Sequence, residues 1–510
     1  MAITDEDEII AFLASDEGFG PSKPEIVRTH ISVVLLTDDR AIKLKRAVTL
    51  PYADFSTPQR RLEACRDELR LNRRTAPELY RDVHRVTRRP DGGLMLDGDG
   101  DLVDAVVEME RFEADQLFDA MVVHGELTPD LMTRLAARIA TFHDLAAVDS
   151  DRDGAGRMAA VLDVNERGLN LTDVFDEDEV EHFNAFFRAM LDQHAGLLDE
   201  RAAAGHVRHC HGDLHLRNIC LFRGEPTLFD CLEFNPELAT TDVLYDLAFL
   251  LMDLWHRDMR GLANLVFNRY LDDADEEDGL ALLSFFMATR AAVRAHVTAA
   301  QCRDAKDADA DRLAAEARSY FDLAKRLLEP REPVLLAVGG LSGSGKSTVA
   351  AALAPDVGPP PGARVLSSDR LRKRLFGVSP QTHLPAEAYL PEVSRKVYAR
   401  LALGAGQVVR SGMAAIADAV FERPADRRRI AQAAEREHRP FCGLWLQASL
   451  DVMKQRVADR GNDISDATGA IVEGQVRRLG VVEWPHVDAS GEIGSVCAAA
   501  LRTVGRKSGV

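Results

Sequence analysis

The sequence predicts two domains of different class: a two-lobed α+β domain, then an α/β domain built on a parallel sheet. Three observations carry this. Residues 26–47 and 83–112 read as strand-rich and flank a helical period in TPQRRLEACRDELRLNRRTAP, residues 57–77. From residue 115 to about 325 the pattern is mostly helical, broken by a loop at 209–236. Beyond Pro333 a short apolar run, VLLAVGG, leads into a glycine-rich turn and a new helix, the order of a βα unit in a parallel sheet.

The helix ADRLAAEARSYFDLAKRLLE stops before Pro330, which sets the boundary near residue 330. The first domain then covers 1–328, with a small lobe of about 1–110 and a helical lobe of about 111–328; the second covers 333–510. A chain of 510 residues, 46% hydrophobic and 28% charged, has material for large cores. Its net charge of −19 sets it against nucleic-acid backbones and anionic membranes as partners. The acidic start MAITDEDEIIAFLASDEG lacks the basic head and apolar run of a signal peptide. No stretch reads as a span of about 20 apolar residues. Seven scattered cysteines without a CxxC read as reduced thiols, predicting a cytoplasmic protein.

The first domain carries one ordered set of chemical groups. In AIKLK, Lys43 and Lys45 share a strand face, and one of them is placed to hold the α- and β-phosphates of a nucleotide. Glu68, on the next helix, is the candidate partner for that lysine, with Glu63 the poorer choice. VVEMERF ends a strand, and its backbone at Glu108, Met109 and Glu110 suits a hinge that binds adenine. In HGDLHLRN, residues 211–218, Asp213 is placed to take a proton from an attacking hydroxyl, and Asn218 lies five residues on, within reach of a metal–phosphate cluster. Asp230 ends the apolar run LFD, where a lone carboxylate suits magnesium, and Glu233 is a possible further ligand. His209, His211 and His215 read as packing or loop-orienting residues.

These residues resemble the aminoglycoside phosphotransferase and choline kinase superfamily. The likeness rests on AIK at 41–43, Glu68, HGDLHLRN, FD at 229–230 and YDLAFLLMDL at 245–254, in the family's order. It implies a protein-kinase-like bilobal fold using ATP and magnesium, with Asp246 anchoring the catalytic loop. A recognisable glycine-rich loop near residues 28–36 is missing from the pattern.

The second domain carries a different device. GLSGSGKST fits G-x-x-x-x-G-K-[ST] between a strand and a helix. The stretch Gly340, Leu341, Ser342, Gly343, Ser344, Gly345, Lys346, Ser347 and Thr348 wraps phosphates with backbone N–H groups. Lys346 reaches the terminal phosphates and Ser347 ligates magnesium. Asp369 ends the next strand beside this loop, as a base for an acceptor hydroxyl or as a helix N-cap. Arg372, one turn on, is placed to hold the acceptor or the moving phosphate. Asp418 ends another small-residue strand and suits a magnesium ligand. Arg456 and Arg460, one turn apart before Gly-Asn-Asp, read as a lid over the phosphates or as a solvated pair.

This half resembles the P-loop kinases related to polynucleotide 5′-kinase, gluconate kinase and zeta-type toxins, on GxxxxGKS, the DxxR at 369–372 and the RxxxR at 456–460. That likeness implies that Asp369 activates the acceptor. The whole chain resembles bacterial two-domain proteins that fuse the two kinds of kinase. The leading expectation is a bifunctional phosphotransferase with two ATP- and Mg2+-dependent sites, each acting on a small hydroxyl-bearing molecule. One alternative makes the P-loop half a regulatory ATPase switch, which needs Lys346 and Asp418 but no base. Another makes it a nucleic-acid 5′-hydroxyl kinase, against which the acidity argues. DSDRDG at 149–154 begins like a calcium loop, but position twelve is Ala160 and a turn is the better reading.

Overall fold

The structure is a computed structural model that describes residues 5–20, 24–29, 31–50, 53–303, 305–459 and 465–508. The chain divides into two compact units, Met1–Val164 with Phe187–Asp253, and Asn165–Phe186 with Leu254–Val510.

In the first unit a six-stranded antiparallel sheet runs in the order Glu25–Arg28, Ser32–Leu36, Arg40–Lys45, Asp101–Glu110, Tyr80–Arg88, Leu94–Leu96. Side chains alternate across it. Strand Arg40–Lys45 therefore sends Ile42 and Leu44 into a core with Ile9, Leu13, Val33, Val86 and Val106, and turns Ala41, Lys43 and Lys45 to the opposite face. Against that face lies helix Pro58–Asn72. Thr57 caps it, accepting from the Arg60 N–H, and Pro58 sits where no intrahelical N–H is needed. Its buried residues Arg61, Ala64, Cys65, Glu68, Leu71 and Asn72 recur at helical spacing, so the packing face carries a carboxylate into the interior. Arg61 is matched by Asp104 at 2.8 Å. Helices Pro129–Leu145 and Val243–His256 and the short hairpin Ile219–Phe222 with Glu225–Leu228 position the loops that follow. The aspartates of DSDRDG serve a turn: Asp153 accepts from the Gly156 N–H at the start of helix Gly154–Asn170, and Asp149 pairs with Arg157.

The second unit holds a parallel sheet in the order Arg364–Ser367, Ala415–Asp418, Leu335–Gly339, Phe441–Gln447, His486–Asp488. The central strands are buried on both faces, which is why they read as unbroken small-apolar runs. Strand Arg364–Ser367 is at the sheet edge, and its outer backbone groups are paired by side chains. On helix Arg260–Asp273, Asn264 and Asn268 are one turn apart. Asn268 Oδ1 accepts from the Val365 N–H at 2.7 Å, its Nδ2 donates to the Ala363 carbonyl at 3.1 Å, and Asn264 Nδ2 donates to the Pro361 carbonyl at 3.0 Å. Arg364, buried beside them, pairs with Asp272 at 2.8 Å and Glu277 at 3.1 Å. Two asparagines thus stand in for a neighbouring strand. Asn268→Ala is expected to leave the Val365 N–H without its side-chain acceptor, at about 1–3 kcal/mol, while Asn264 Nδ2 still donates to the Ala363 carbonyl at 3.1 Å. Faster amide exchange at Val365 and a lower urea midpoint would be the readouts.

Among the described residues one helical stretch, Glu277–Gln301, is long and apolar enough to cross a membrane by length and composition, and 67% of its most apolar window is buried inside the protein. In sequence Arg290 and Arg294 interrupt the run, and Arg290 is itself buried.

Candidate active sites

In the first unit, the residues singled out in sequence converge. Gly212 takes φ +83°, and a Cβ there would lie 3.0 Å from Leu232 Cβ, so the tight approach of the loop to the next segment requires glycine. The turn is held from beneath by Asp246, a fully buried carboxylate on helix Val243–His256. It accepts from the His211 N–H at 3.2 Å and the Gly212 N–H at 2.8 Å, and meets His143 Nε2 at 3.1 Å. Asp253 accepts from the Leu216 N–H at 3.0 Å. His211 donates from Nε2 to the Phe229 carbonyl at 2.9 Å, and its Nδ1 lies 3.4 Å from the Asp213 N. His215 Nε2 lies 3.3 Å from Asp213 Oδ2. His211 and His215 thus contact the loop, while His209 Nδ1 lies 3.3 Å from Thr240 Oγ1.

Asn218 Nδ2 donates to Asp213 Oδ2 at 2.8 Å and to the Asp213 carbonyl at 2.9 Å. That leaves its amide oxygen for a hard cation. The Phe229 N–H donates to the Asn218 carbonyl at 3.0 Å, carrying Asp230 to the same place. Asp230 has φ +60°, a backbone conformation aspartate tolerates, and its N–H donates to Tyr80 Oη at 3.1 Å. Asn218 and Asp230 are oxygen donors of the kind magnesium takes.

Lys43 Nζ lies 2.9 Å from Glu68 Oε1 and 2.5 Å from Asp230 Oδ1. Burial works against its charge, but Asp230, then Glu68 and Glu233, outweigh burial and hold its pKa well above the usual lysine value. Lys45 is more deeply buried and is paired to Glu68 Oε2 at 2.5 Å and to Glu233. Burial opposes the charge on Glu68 as well, and the two lysines overcome it, pulling its pKa down. Two expectations change here. Glu233 is not turned to a metal: it is buried against Lys45, and burial raises its pKa. Glu108 and Met109 are paired on both sides, with Ile42 and Asp82 opposite Glu108 and with Ala41 and Tyr80 opposite Met109; the Glu110 N–H donates to the Leu79 carbonyl. Glu108 also carries Arg40 and His84 at 3.2 and 2.9 Å. The sheet thus claims the backbone of 108–110, and the chain leaves it at Arg111 and Phe112, where Phe112 packs edge-on to Phe229 at 5.3 Å.

In the second unit the glycine-rich turn joins strand Leu335–Gly339 to helix Lys346–Leu353. Gly343 takes φ +83°, and a Cβ there would lie 2.4 Å from the Met453 carbonyl, so only glycine lets the two backbones meet. Lys346 Nζ donates across the turn to the Leu341 carbonyl at 3.1 Å. Ser347 Oγ donates to Asp418 Oδ2 at 2.7 Å; Asp418 ends its strand between those of Val338 and Ser367. Burial raises the Asp418 pKa, against the opposing pull of Lys346. Ser347 and Asp418 form a second hard-oxygen pair fit for magnesium. Leu341, Ser342 and Ser344 are buried within the turn, while Thr348 is exposed on the helix.

Asp369 lies in the first turn of helix Ser368–Leu375, whose N-cap position is Ser367; it is not the N-cap. Burial raises its pKa, and Lys346 and Arg372 pull against that. Arg372 differs from expectation. It is buried, donates from Nη1 to the Ala388 carbonyl at 2.6 Å, and packs over the Tyr389 ring at 4.8 Å, so part of its fork is held by protein. Arg456 donates to the Ala489 carbonyl at 2.9 Å, and its Nη1 would lie 3.6 Å from a Cβ at Gly345, placing the guanidinium beside the turn. Arg460 lies outside the described residues.

Sequence reading missed several groups. Asp466 accepts from Tyr389 Oη at 2.6 Å, Lys373 Nζ at 3.0 Å and the Leu384 N–H at 3.1 Å, with His383 Nδ1 at 2.9 Å. Gln475 Oε1 accepts from the Ser342 N–H at 2.9 Å. Tyr80 and Asn72 hold the backbone of 230–231. None belongs to a local motif; an apolar helix face bearing an unexplained Gln or Asn was the one available signal.

A profile described as "Phosphotransferase enzyme family" matches residues 32–286, and one described as "AAA domain" matches residues 335–481. The chain is 30% identical over 485 residues to an uncharacterized protein of Mycobacterium tuberculosis (strain ATCC 25618 / H37Rv), covering 92% of each. Among solved structures it is similar to a choline/ethanolamine kinase family protein from Mesorhizobium loti, at 16% identity and TM-score 0.41, covering 64% of this chain and 95% of that one. It is also similar to a gluconokinase from Sinorhizobium meliloti 1021, at 21% identity and TM-score 0.26, covering 35% of this chain and 95% of that one.

Proposed function

The chain belongs to the phosphotransferase enzyme family, and from that premise we propose that it carries two separate ATP sites, each moving the γ-phosphoryl group to a hydroxyl of a small molecule. The observation that carries the reading is that each unit gathers its own lysine, its own candidate base and its own pair of hard oxygen donors. In the first, Lys43 holds the phosphates, Glu68 fixes Lys43, Asp213 takes the hydroxyl proton, and Asn218 and Asp230 hold magnesium. In the second, the turn 340–348 cradles the phosphates, Lys346 neutralises them, Ser347 and Asp418 hold magnesium, and Asp369 is the base. The metal's chemistry is to neutralise charge on the transferring group; the residues named supply position. Adenine in the first site is met where the chain leaves the sheet at Phe112, since the Arg111 and Glu113 N–H groups donate to the Asp39 carbonyl and Gln116 Oε1. Seven free cysteines and the acidic charge support a cytoplasmic enzyme with no nucleic-acid or membrane partner.

One observation favours a second reading of the P-loop half. Arg372, expected to hold the acceptor, gives one guanidinium nitrogen to Ala388 and its face to Tyr389, as a nucleotide-driven regulatory switch without an acceptor would allow. The test uses γ-labelled ATP, magnesium and a metabolite extract with the wild type, Asp213→Ala and Lys346→Ala. Loss of a different labelled product in each variant is expected. Loss of the same single product in both would give the P-loop half to the switch, and a labelled pattern unchanged in Asp213→Ala would remove the first assignment.

A further inference from the structure

Lys43 and Lys45 are two apart on one strand, so they leave the same face. Asp230 and Glu233 are three apart on the segment after strand Glu225–Leu228. The structure matches them in pairs, Lys43 with Asp230 and Lys45 with Glu233, and Glu68 bridges the lysines with one oxygen on each. The result is a chain of alternating charge: Asp230, Lys43, Glu68, Lys45, Glu233. Its two ends differ. The Asp230 and Lys43 side chains are 38% and 11% exposed, whereas those of Lys45 and Glu233 are 0% and 4% exposed. A ligand arriving from solvent reaches the first end and not the second.

Phosphoryl transfer requires Asp230 to turn an oxygen to a cation and Lys43 to turn charge to phosphate, so the charge they now give each other is drawn toward the ligand. With Lys43 shared between Glu68 and phosphate, Glu68, whose side chain is 0% exposed, would be a buried carboxylate with only part of one cation. Such a group is not tolerated in a low-dielectric interior. Lys45 prevents this, because it stays on Glu68 whichever way Lys43 turns. Glu233 in turn balances Lys45 and, three residues from Asp230, ties the metal-holding segment to the lysine strand. We propose that Lys45 and Glu233 form a permanent buried clasp, a positioning pair that keeps Glu68 charged and the 230–233 segment in register while Lys43 and Asp230 turn toward nucleotide and metal. This rests on the reading of the first unit as a nucleotide site. Tyr80 and Asn72 fix the same segment through neutral backbone bonds, which explains why the clasp governs charge and register and not merely attachment.

The test is made on the full chain in a Lys346→Ala background that silences the second site, with a fluorescent ATP analogue titrated with and without magnesium. Glu233→Gln, which keeps the side chain's shape, and Lys45→Met are each expected to weaken magnesium-dependent binding by about tenfold or more, the scale of a lost supporting residue at a metal site. The double variant Lys45→Met/Glu233→Leu replaces the pair by apolar groups. It is expected to recover the thermal midpoint of the parent without recovering magnesium-dependent binding. Parent-like binding by the double variant would overturn the clasp and leave the site reading standing. Analogue binding that Asp230→Ala does not alter in the parent would remove the site reading, and the clasp with it.

Discussion

Asp213→Asn is expected to lower the first site's labelled product by roughly 10²–10⁴-fold in kcat, the range of a lost general base, while nucleotide binding and the second site's product persist. The substitution keeps the side chain's shape and its place between Asn218 and His215, so the loop should hold. What it removes is the acceptor for the hydroxyl proton. Asp246→Ala is the contrasting case. It strips the buried oxygens that hold the His211 and Gly212 N–H groups, so stability and activity should fall together. A thermal melt beside the initial rate separates the two. Asp213→Asn should leave the midpoint near that of the wild type, whereas Asp246→Ala should lower it.

The difference between these residues is also the difference between what sequence made legible and what it did not. Asp213, Asn218, Asp230 and the 340–348 turn sit in short patterns, because each needs its neighbours at fixed offsets along one loop. Glu68 was legible because a helix places it on the same face as Ala64 and Leu71, toward the strand that bears the lysines. Lys43 and Lys45 could not be separated, because their inequality is created by Glu233, 188 residues away from Lys45, and by differences in burial that no local pattern carries. The hinge at 108–110 was misplaced for a similar reason. Where a strand ends depends on the register of its two partners, and the pairing of Glu110 with Arg40 extends this strand further than its apolar run suggests. Asn264 and Asn268 were invisible because an asparagine that pairs with a sheet edge looks, in sequence, like any polar residue on a helix. Arg372 was read for its charge, when the ring of Tyr389 and the Ala388 carbonyl decide where that charge goes.

Asp369→Asn carries the second large effect and decides between a kinase and a switch in the P-loop half. If Asp369 takes the acceptor's proton, its loss is expected to lower the second labelled product by roughly 10²–10⁴-fold while leaving nucleotide binding by Lys346 and the turn intact. A switch would keep its nucleotide-dependent effect on the first site unchanged in this variant. The pH dependence supplies an independent sign. Burial raises the Asp369 pKa, although Lys346 and Arg372 favour the ionised form. A base must be ionised to act, so kcat/KM should fall as pH drops through that raised value. The acid limb should therefore lie above the position of an exposed aspartate, near pH 3.9. It should vanish with the residual activity in Asp369→Asn. Stability runs the opposite way. A carboxyl whose folded pKa is raised stabilises the fold below its unfolded pKa, and that contribution is lost as pH rises through the folded value. At neutral pH the ionised Asp369 is thus a strain on the fold, and Asp369→Asn should melt no lower than the wild type. A variant that loses transfer while holding its midpoint would mark Asp369 as a group retained for chemistry; one that loses both would return it to a structural role beside Arg372.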